Sequence, residues 1–325
     1  MRAALCSAFE GPAAVAVGDI AEPSPHAGEV LVRVRAAALN FFDTLLVRNS
    51  YQYKPTLPFS PGGEMCGVIE GLGEGVAGVA KGQRVLGYLG WGCCRELVTA
   101  PAEALVRVPA SVTDEVAAGL SVAYGTAMHG LIDRGRLEAG NTLAVLGAAG
   151  GTGLAAVQIG AQLGARVIAV ASTSDKLALC KSHGAHEGLI SAGTDLKTAL
   201  KDLTGGKGVD VIYDCVGSDQ SEQALRAIAW QGRFLVVGFA GGAIPRLPLN
   251  LPLLKGCDVV GVFWGEFLKR EPKAQRRHLA RVLAWVEAGA IRPHVHAAYP
   301  LAGTAEALRV LERREATGKV VVTIS

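Results

Sequence analysis

Leu143-Ala-Val-Leu-Gly-Ala-Ala-Gly-Gly-Thr-Gly153, followed by the apolar run Leu154–Leu163, is the stretch that decides the fold. β-type residues run straight into a glycine cluster, and a helical pattern begins on the far side. That order gives the cluster its meaning. Glycine lets a backbone turn sharply and come close to a ligand, because no Cβ intervenes. A helix starting behind such a turn offers unpaired N–H groups and a positive dipole end, which suits a pyrophosphate. The fingerprint G-x-G-x-x-G, set on Gly153, needs glycines at 148, 150 and 153. The chain has Ala148, Gly150 and Gly153, with further glycines at Gly147 and Gly151. A strand–turn–helix whose glycines serve packing alone would look similar. Arg166-Val-Ile-Ala-Val-Ala171 favours the nucleotide reading, because it supplies the second parallel strand of a βαβ unit. Ala149, Gly150, Gly151, Thr152 and Gly153 are the expected dinucleotide contacts.

The residues after that second strand select the nucleotide. A site for NAD places an Asp or Glu about 20 residues past the first glycine, to bind the ribose 2′-hydroxyl. Here the strand runs into Ser172-Thr173-Ser174, with no acid before Asp175 and with Lys176 beside it. A carboxylate repels a 2′-phosphate, whereas hydroxyls and an ammonium hold one. NADPH (NADP+) is expected over NADH, with Ser172 and Lys176 at the phosphate. Ser174 reads as the cap of a helix over Asp175–His183, and Lys176 has the alternative of a solvated charge.

Composition bounds the rest. A chain of 325 residues is long enough for two domains with real cores. Half its residues are hydrophobic and 19% are charged, which suits an α/β globular protein. A net charge of +3 is too small to argue for nucleic acid as main partner or for an anionic membrane. No apolar run reaches the roughly 18 residues a membrane helix needs. Polar residues after Met1-Arg-Ala-Ala-Leu-Cys6 leave no secretory core, and seven cysteines without framework spacing suit reduced thiols, so a cytoplasmic location is expected.

The pattern changes near Ser121. Before it lie short β-like runs, Glu29–Ala36, Cys66–Gly71, Gln83–Leu89, Glu96–Ala100 and Ala104–Val108, broken by Gly and Pro. After Ala139 strands and helices alternate, with further strands at Val209–Asp214, Gly232–Gly238 and Asp258–Val262. Helical patterns fall at Gly153–Gly164, Asp175–His183, Asp195–Thr204 and Gln220–Trp230. That alternation predicts a doubly wound parallel sheet covered on both faces. Beyond Trp264 come a helix over Lys273–Ala288, a strand over His294–Tyr299, a helix over Thr304–Arg314 and a strand over Lys319–Ile324. The tail is expected to return to the first domain.

The chain resembles the zinc-free quinone oxidoreductases, the ζ-crystallin-like branch of the medium-chain dehydrogenase/reductase superfamily. The resemblance rests on several segments: Ala38-Leu-Asn-Phe-Phe-Asp43, Tyr51-Gln-Tyr-Lys-Pro-Thr-Leu-Pro-Phe-Ser-Pro-Gly-Gly-Glu64, Ala123-Tyr-Gly-Thr-Ala-Met-His129, the glycine turn, Tyr213-Asp-Cys-Val-Gly217 and Gly232-Arg-Phe-Leu-Val-Val-Gly-Phe239. It implies a GroES-like β-rich catalytic domain over 1–120 completed by 265–325, a Rossmann domain over 121–264, a cleft between them and a homodimer. Metal-dependent members carry Cys-x-x-Asp and Gly-His-Glu at positions that here hold Asn40 ahead of Asp43 and Gly63 ahead of Glu64. Asn and Gly supply no zinc donor in that role. Only the adjacent pair Cys93-Cys94 stands where a structural lobe has four spaced cysteines. Without a Lewis acid, reduction of an alcohol-type carbonyl loses its main support, whereas a quinone or α,β-unsaturated carbonyl spreads the incoming charge over a conjugated system.

The resemblance assigns roles residue by residue. Asn40 falls beside the nicotinamide, with a loop-to-backbone hydrogen bond as the alternative. Tyr51 matches a tyrosine that binds the substrate oxygen or stacks on a flat ring, and Tyr53 is close enough to be confused with it. Thr126 lies toward the nicotinamide or is a helix-start hydroxyl. His129, one helical turn on, reads as structural, with a proton donor as the alternative. Val216, Gly217, Gly238, Phe239 and Ala240 follow sheet strands and should border the cofactor. Phe263 and Trp264 wall the nicotinamide pocket or a subunit interface. Lys319 reaches the cofactor from the tail or is solvated. Where many members have an aromatic residue after the third Rossmann strand, this chain has Leu189-Ile-Ser-Ala192, so the phosphate site leans on Ser172 and Lys176, and Arg166 lies too early to replace it. An enoyl-thioester reductase is the alternative enzyme, with Arg48 and Lys54 as candidate contacts for CoA phosphates. A structural or RNA-binding role, known among family relatives, lacks an arginine-rich or aromatic-interleaved stripe.

Overall fold

A computed structural model describes residues 1–324. The chain divides into two compact units. Unit 1 comprises Met1–Val122, Leu279–Ala288 and the chain from Pro293 onward; unit 2 comprises Ala123–His278 and Gly289–Arg292. The tail beyond Trp264 is thus shared between the units.

Unit 2 is built on a six-stranded parallel sheet in the order Glu187–Ile190, Arg166–Ala171, Thr142–Leu146, Val209–Asp214, Ile228–Val236 and Asp258–Gly261. In sequence order this is 3-2-1-4-5-6, with the reversal between Thr142–Leu146 and Val209–Asp214, where such sheets open to ligands. The inner strands Arg166–Ala171, Thr142–Leu146 and Val209–Asp214 are buried on both faces, which is why they read as continuous apolar runs rather than alternating ones. Ala144, Ile168, Ile212 and Phe234 meet Leu196, Leu200 and Leu225 from the covering helices. The helix expected over Gln220–Trp230 stops at Arg226, and Ile228–Trp230 open the fifth strand. Pairing explains the difference: Val209 N–H donates to Ala227 O, and Val209 lies opposite Ile228, so the ladder begins earlier than composition suggests. Thr173, not Ser174, is the N-cap of Ser174–Ser182; its hydroxyl accepts from Lys176 N–H.

Unit 1 holds a seven-stranded sheet. Its path runs Val295–Pro300, Lys319–Thr323, Glu29–Leu39, Glu64–Leu72, Arg84–Tyr88 and Val106–Arg107, with Leu97–Pro101 also pairing Glu29–Leu39. All ladders are antiparallel except Val295–Pro300 with Lys319–Thr323. A hairpin of Arg2–Cys6 and Val15–Asp19, short runs that composition did not flag, stands beside it. Register matters most for the site. Ala38 lies opposite Glu64, and Val320 lies opposite Leu39. These two pairings set Glu64 and Lys319 around Asn40, which ends the long strand and starts helix Phe41–Leu46.

Candidate functional site

In unit 2 three loops converge at the carboxyl ends of the strands. The first is Gly147–Gly150. Gly147 has a φ of +71°, and a Cβ there would sit 2.8 Å from Val216 Cγ2. Gly150 is the N-cap of helix Gly151–Gln162, and no side chain caps that terminus. The first N–H groups of such a helix have no intrahelical acceptor, so they are available to an anion. A Cβ on Gly150 would meet only Gly147 O, at 3.5 Å, so open space lies against the backbone there. A Cβ on Gly153 would lie 2.2 Å from Gly147 O. Gly153 therefore serves helix–turn packing, and Gly150 leaves room for a ligand. Both uses belong to a dinucleotide turn, and the residues present fit a pyrophosphate.

The second and third loops follow Val209–Asp214 and Ile228–Val236. Gly241 N–H donates to Val216 O (2.7 Å) and Ala240 N–H to Cys215 O (3.1 Å), which ties the two loops together. A Cβ on Gly217 would lie 3.0 Å from Phe239 Cδ1. Val216, Gly217, Gly238, Phe239 and Ala240 thus come together beside the glycine turn. Sequence reasoning missed what shapes this junction. Buried Asp214 accepts N–H groups from Val216 (2.8 Å) and Gly217 (3.0 Å) on one oxygen and the Ser221 hydroxyl (2.5 Å) on the other. An acid directly after an apolar strand is the signal that was available.

The remaining unit 2 candidates separate. Thr126 is buried within helix Leu120–Met128, so it is not a helix-start hydroxyl. Ser172 is exposed beyond the second strand, and Lys176 lies in the first turn of the next helix. Arg166 is engaged across the sheet with Glu187 at 2.7 Å. Phe263 is half exposed, whereas Trp264 is buried and donates its indole N–H to Gln275 Oε1 at 2.9 Å. His129 is held structurally: its Nδ1 lies 2.8 Å from Asp133 Oδ2 and its ring stacks on Phe267 at 3.9 Å.

In unit 1 Asn40 and Lys319 meet in a buried polar network. Asn40 Nδ2 donates to Glu64 Oε1 at 3.0 Å. Lys319 Nζ donates to Glu64 Oε1 (2.8 Å), to Leu39 O (3.3 Å) and to Asn40 Oδ1. Glu64 Oε2 accepts Val122 N–H at 2.7 Å. Asp43 accepts N–H groups from Asn40 (2.8 Å) and Gly62 (3.0 Å). Burial pushes the Asp43 carboxyl up to about 7; the two N–H donors and the Lys319 charge oppose the rise, and Glu64 adds to it. Lys319 uses all three ammonium donors inside this network, so it is neither solvated nor left with an N–H for a ligand. The resemblance marks Lys319 as a candidate cofactor contact and places Glu64 behind Gly63, but each heads an apolar strand and nothing in either neighbourhood announces their pairing.

Beside the network Phe42 stacks on Tyr51 at 5.5 Å and 24°, Tyr51 meets Tyr53 edge-on at 5.8 Å, and Tyr88 meets the edge of Phe42 at 6.4 Å. All four rings are partly exposed. Burial raises the Tyr51 phenol above its ordinary value, with Tyr53 and Asp43 adding to the effect, and no hydrogen bond to its hydroxyl forms among the described residues. Phe42 and Tyr88 were not singled out from the sequence.

The metal positions can be judged by their surroundings. A Cβ on Gly63 would already lie 2.8 Å from Phe42 Cζ and 2.9 Å from Gly90 O, which leaves no room for an imidazole. Cys93 and Cys94 are fully buried, and burial pushes both thiols up. Among the described residues no three His, Cys, Asp or Glu side chains are grouped to hold a metal ion. No helix there is long and apolar enough to cross a membrane.

Comparisons with known proteins agree with this construction. Residues 26–110 match the alcohol dehydrogenase GroES-like domain, and residues 151–283 match the zinc-binding dehydrogenase domain. Rat quinone oxidoreductase-like protein 2 is 36% identical over 324 residues, covering 99% of this chain and 92% of the relative. Human quinone oxidoreductase is 30% identical, covering 100% and 98%. The structure of Escherichia coli quinone oxidoreductase complexed with NADPH superposes with a TM-score of 0.90 at 26% identity, covering 99% of this chain and 100% of that one. With Asn40 and Gly63 standing where metal-dependent relatives place zinc ligands, the chain belongs to the zinc-free quinone oxidoreductase branch of the medium-chain dehydrogenase/reductase superfamily.

Proposed function

We propose that this protein is an NADPH-dependent, metal-independent reductase of quinones or α,β-unsaturated carbonyls. The observation that carries the reading is the open space at Gly150 in front of an uncapped helix N-terminus. Bound NADPH supplies a hydride equivalent at its nicotinamide ring. The chain's residues do the rest by binding and orientation. Ala149, Gly150, Gly151, Thr152 and Gly153 hold the pyrophosphate; Ser172 and Lys176 take the 2′-phosphate. Val216, Gly217, Gly238, Phe239 and Ala240 border the cofactor, with Phe263 flanking it. Thr126 and Asn40 are the residues assigned to the nicotinamide. The Tyr51 hydroxyl donates a hydrogen bond to the acceptor oxygen, where negative charge develops.

A flat conjugated acceptor is supported by the cluster of four partly exposed rings, Phe42, Tyr51, Tyr53 and Tyr88, since offset and edge contacts suit planar π-systems. The thioester alternative draws less support from its two candidate cations. Arg48 is paired with Glu312 at 2.7 Å, and Lys54 is turned onto Asn49, at 3.0 Å from its carbonyl. We also propose a homodimer, supported by the sheet-edge strand Asp258–Gly261 with Val259 exposed, and by exposed Leu249, Leu253 and Leu254 nearby in sequence. The catalytic reading is tested by NADPH oxidation against quinones, enones and enoyl thioesters, repeated with NADH and with a chelator. Quinone or enone turnover that survives chelation is expected. Activity lost to the chelator and restored by zinc would overturn it.

A further inference from the structure

Asn40 sits between two buried opposite charges, and their placement is chemically one-sided. An ammonium only donates, so the atom facing Lys319 must be the amide oxygen; a carboxylate only accepts, so the atom facing Glu64 must be the amide nitrogen. Turning the amide over would set NH2 against the ammonium and oxygen against the carboxylate, replacing two hydrogen bonds by two repulsions. With side-chain exposures of 5% for Lys319 and 0% for Glu64, neither contact is screened by water. The two charges also lie along the amide dipole, positive at its oxygen and negative at its nitrogen, which strengthens the remaining Nδ2–H as a donor.

Space has been cleared for this arrangement. A Cβ on Gly119 would lie 2.9 Å from Lys319 Cγ, so glycine at that position lets the lysine stem pass through the interior to Asn40. Three donors of Lys319 find three acceptors, and both oxygens of Glu64 are used. What the network leaves for a ligand is at the amide.

We infer that Lys319 and Glu64 are positioning residues that act through Asn40, locking its amide and directing the second Nδ2–H to an acceptor oxygen. On the functional reading above, on which this rests, that oxygen belongs to the nicotinamide carboxamide. Lys319 then serves the cofactor without touching it, and the amide recognises a carbonyl oxygen.

The test is the calorimetric Kd for the thionicotinamide analogue of NADP+, whose sulfur is a weaker acceptor, divided by the Kd for NADP+ itself. Comparing the Kd ratio between variants cancels the intrinsic difference between the two nucleotides. Lys319→Met alone strands the Glu64 charge, so the paired variant Glu64→Gln/Lys319→Met removes both. Its ratio should fall about three- to tenfold, the range for one hydrogen bond, to that of Asn40→Ala. Lys319→Arg, which keeps charge and donors, should preserve the preference. Should the paired variant fail to fold, Glu64→Gln/Lys319→Gln, whose two amides can donate or accept at either end and so free Asn40 to turn over, should lower the ratio in the same direction. A ratio unchanged in either folded paired variant overturns the inference alone. No saturable NADP+ binding by the unmodified protein would instead overturn the functional reading beneath it.

Discussion

Replacing Gly150 by alanine separates the fold from its ligand. The Gly150 backbone has φ −73° and ψ 171°, extended values open to alanine, and the new methyl would meet only Gly147 O at 3.5 Å. The folded protein should therefore keep its stability or gain up to about 1 kcal/mol from a less flexible unfolded chain. The same methyl fills the space that the proposed pyrophosphate needs. Pushing the phosphates away by the width of a methyl removes one or two hydrogen bonds to a charged group, each worth about 1.5–3 kcal/mol. The Kd for NADPH should then rise about tenfold or more, toward several hundredfold if two are lost. Fluorescence titration with NADPH and a thermal melt on one sample read both quantities. Gly153→Ala is the opposing control. Its Cβ would lie 2.2 Å from Gly147 O and 2.9 Å from the Gly147 carbonyl carbon, atoms that cannot rotate aside, so about 1–3 kcal/mol of stability is lost. A Gly150→Ala protein that melts normally and binds NADPH with unchanged Kd would refute the placement of the pyrophosphate. One that melts early would refute the geometry of the turn.

Tyr51→Phe removes a hydroxyl with no partner among the described residues, so stability should hold while kcat for the quinone falls about tenfold and NADPH affinity stays constant. Unchanged kcat would take Tyr51 out of the reaction. Val259→Lys places a charge on the exposed sheet edge and should shift the protein from dimer to monomer in light scattering, and a persistent dimer would place the interface elsewhere. The Asp43 carboxyl, raised by burial to about 7, binds its proton more tightly in the folded than in the unfolded chain. Its contribution to stability is therefore fully present below about pH 4 and is lost as pH rises to about 7, on the order of a few kcal/mol at most. Asp43→Asn should flatten that slope in urea unfolding, and an identical slope would assign the titration to another group.

The sequence made the parallel sheet plain because its inner strands are largely apolar runs and its turn is marked by glycines, signals that each lie within a dozen residues. The glycine turn and the loops after Val209–Asp214 and Ile228–Val236 were legible for the same reason. The helix over Asp219–Arg226 was overextended because Ile228-Ala229-Trp230 suits either state and only pairing with Val209 decides it. In unit 1 the long strand was found, but Arg2–Cys6 and Val15–Asp19 are short and lack alternation. Glu64 and Lys319 are 255 positions apart, and the register that unites them is invisible in either neighbourhood. Asn40 and Lys319 were each found by resemblance, whereas their joining through Glu64 had no local sign.

The strand Lys319–Thr323 lies inside its sheet, between Val295–Pro300 and Glu29–Leu39, and it carries the counter-charge for a carboxylate set down near the start of the chain. Until that strand enters the sheet, the Glu64 carboxylate has no cation beside it, and a buried anion without its counter-charge is costly. Unit 1 therefore cannot close around Glu64 first and add Lys319–Thr323 afterwards; the interior and this strand have to come together in one step.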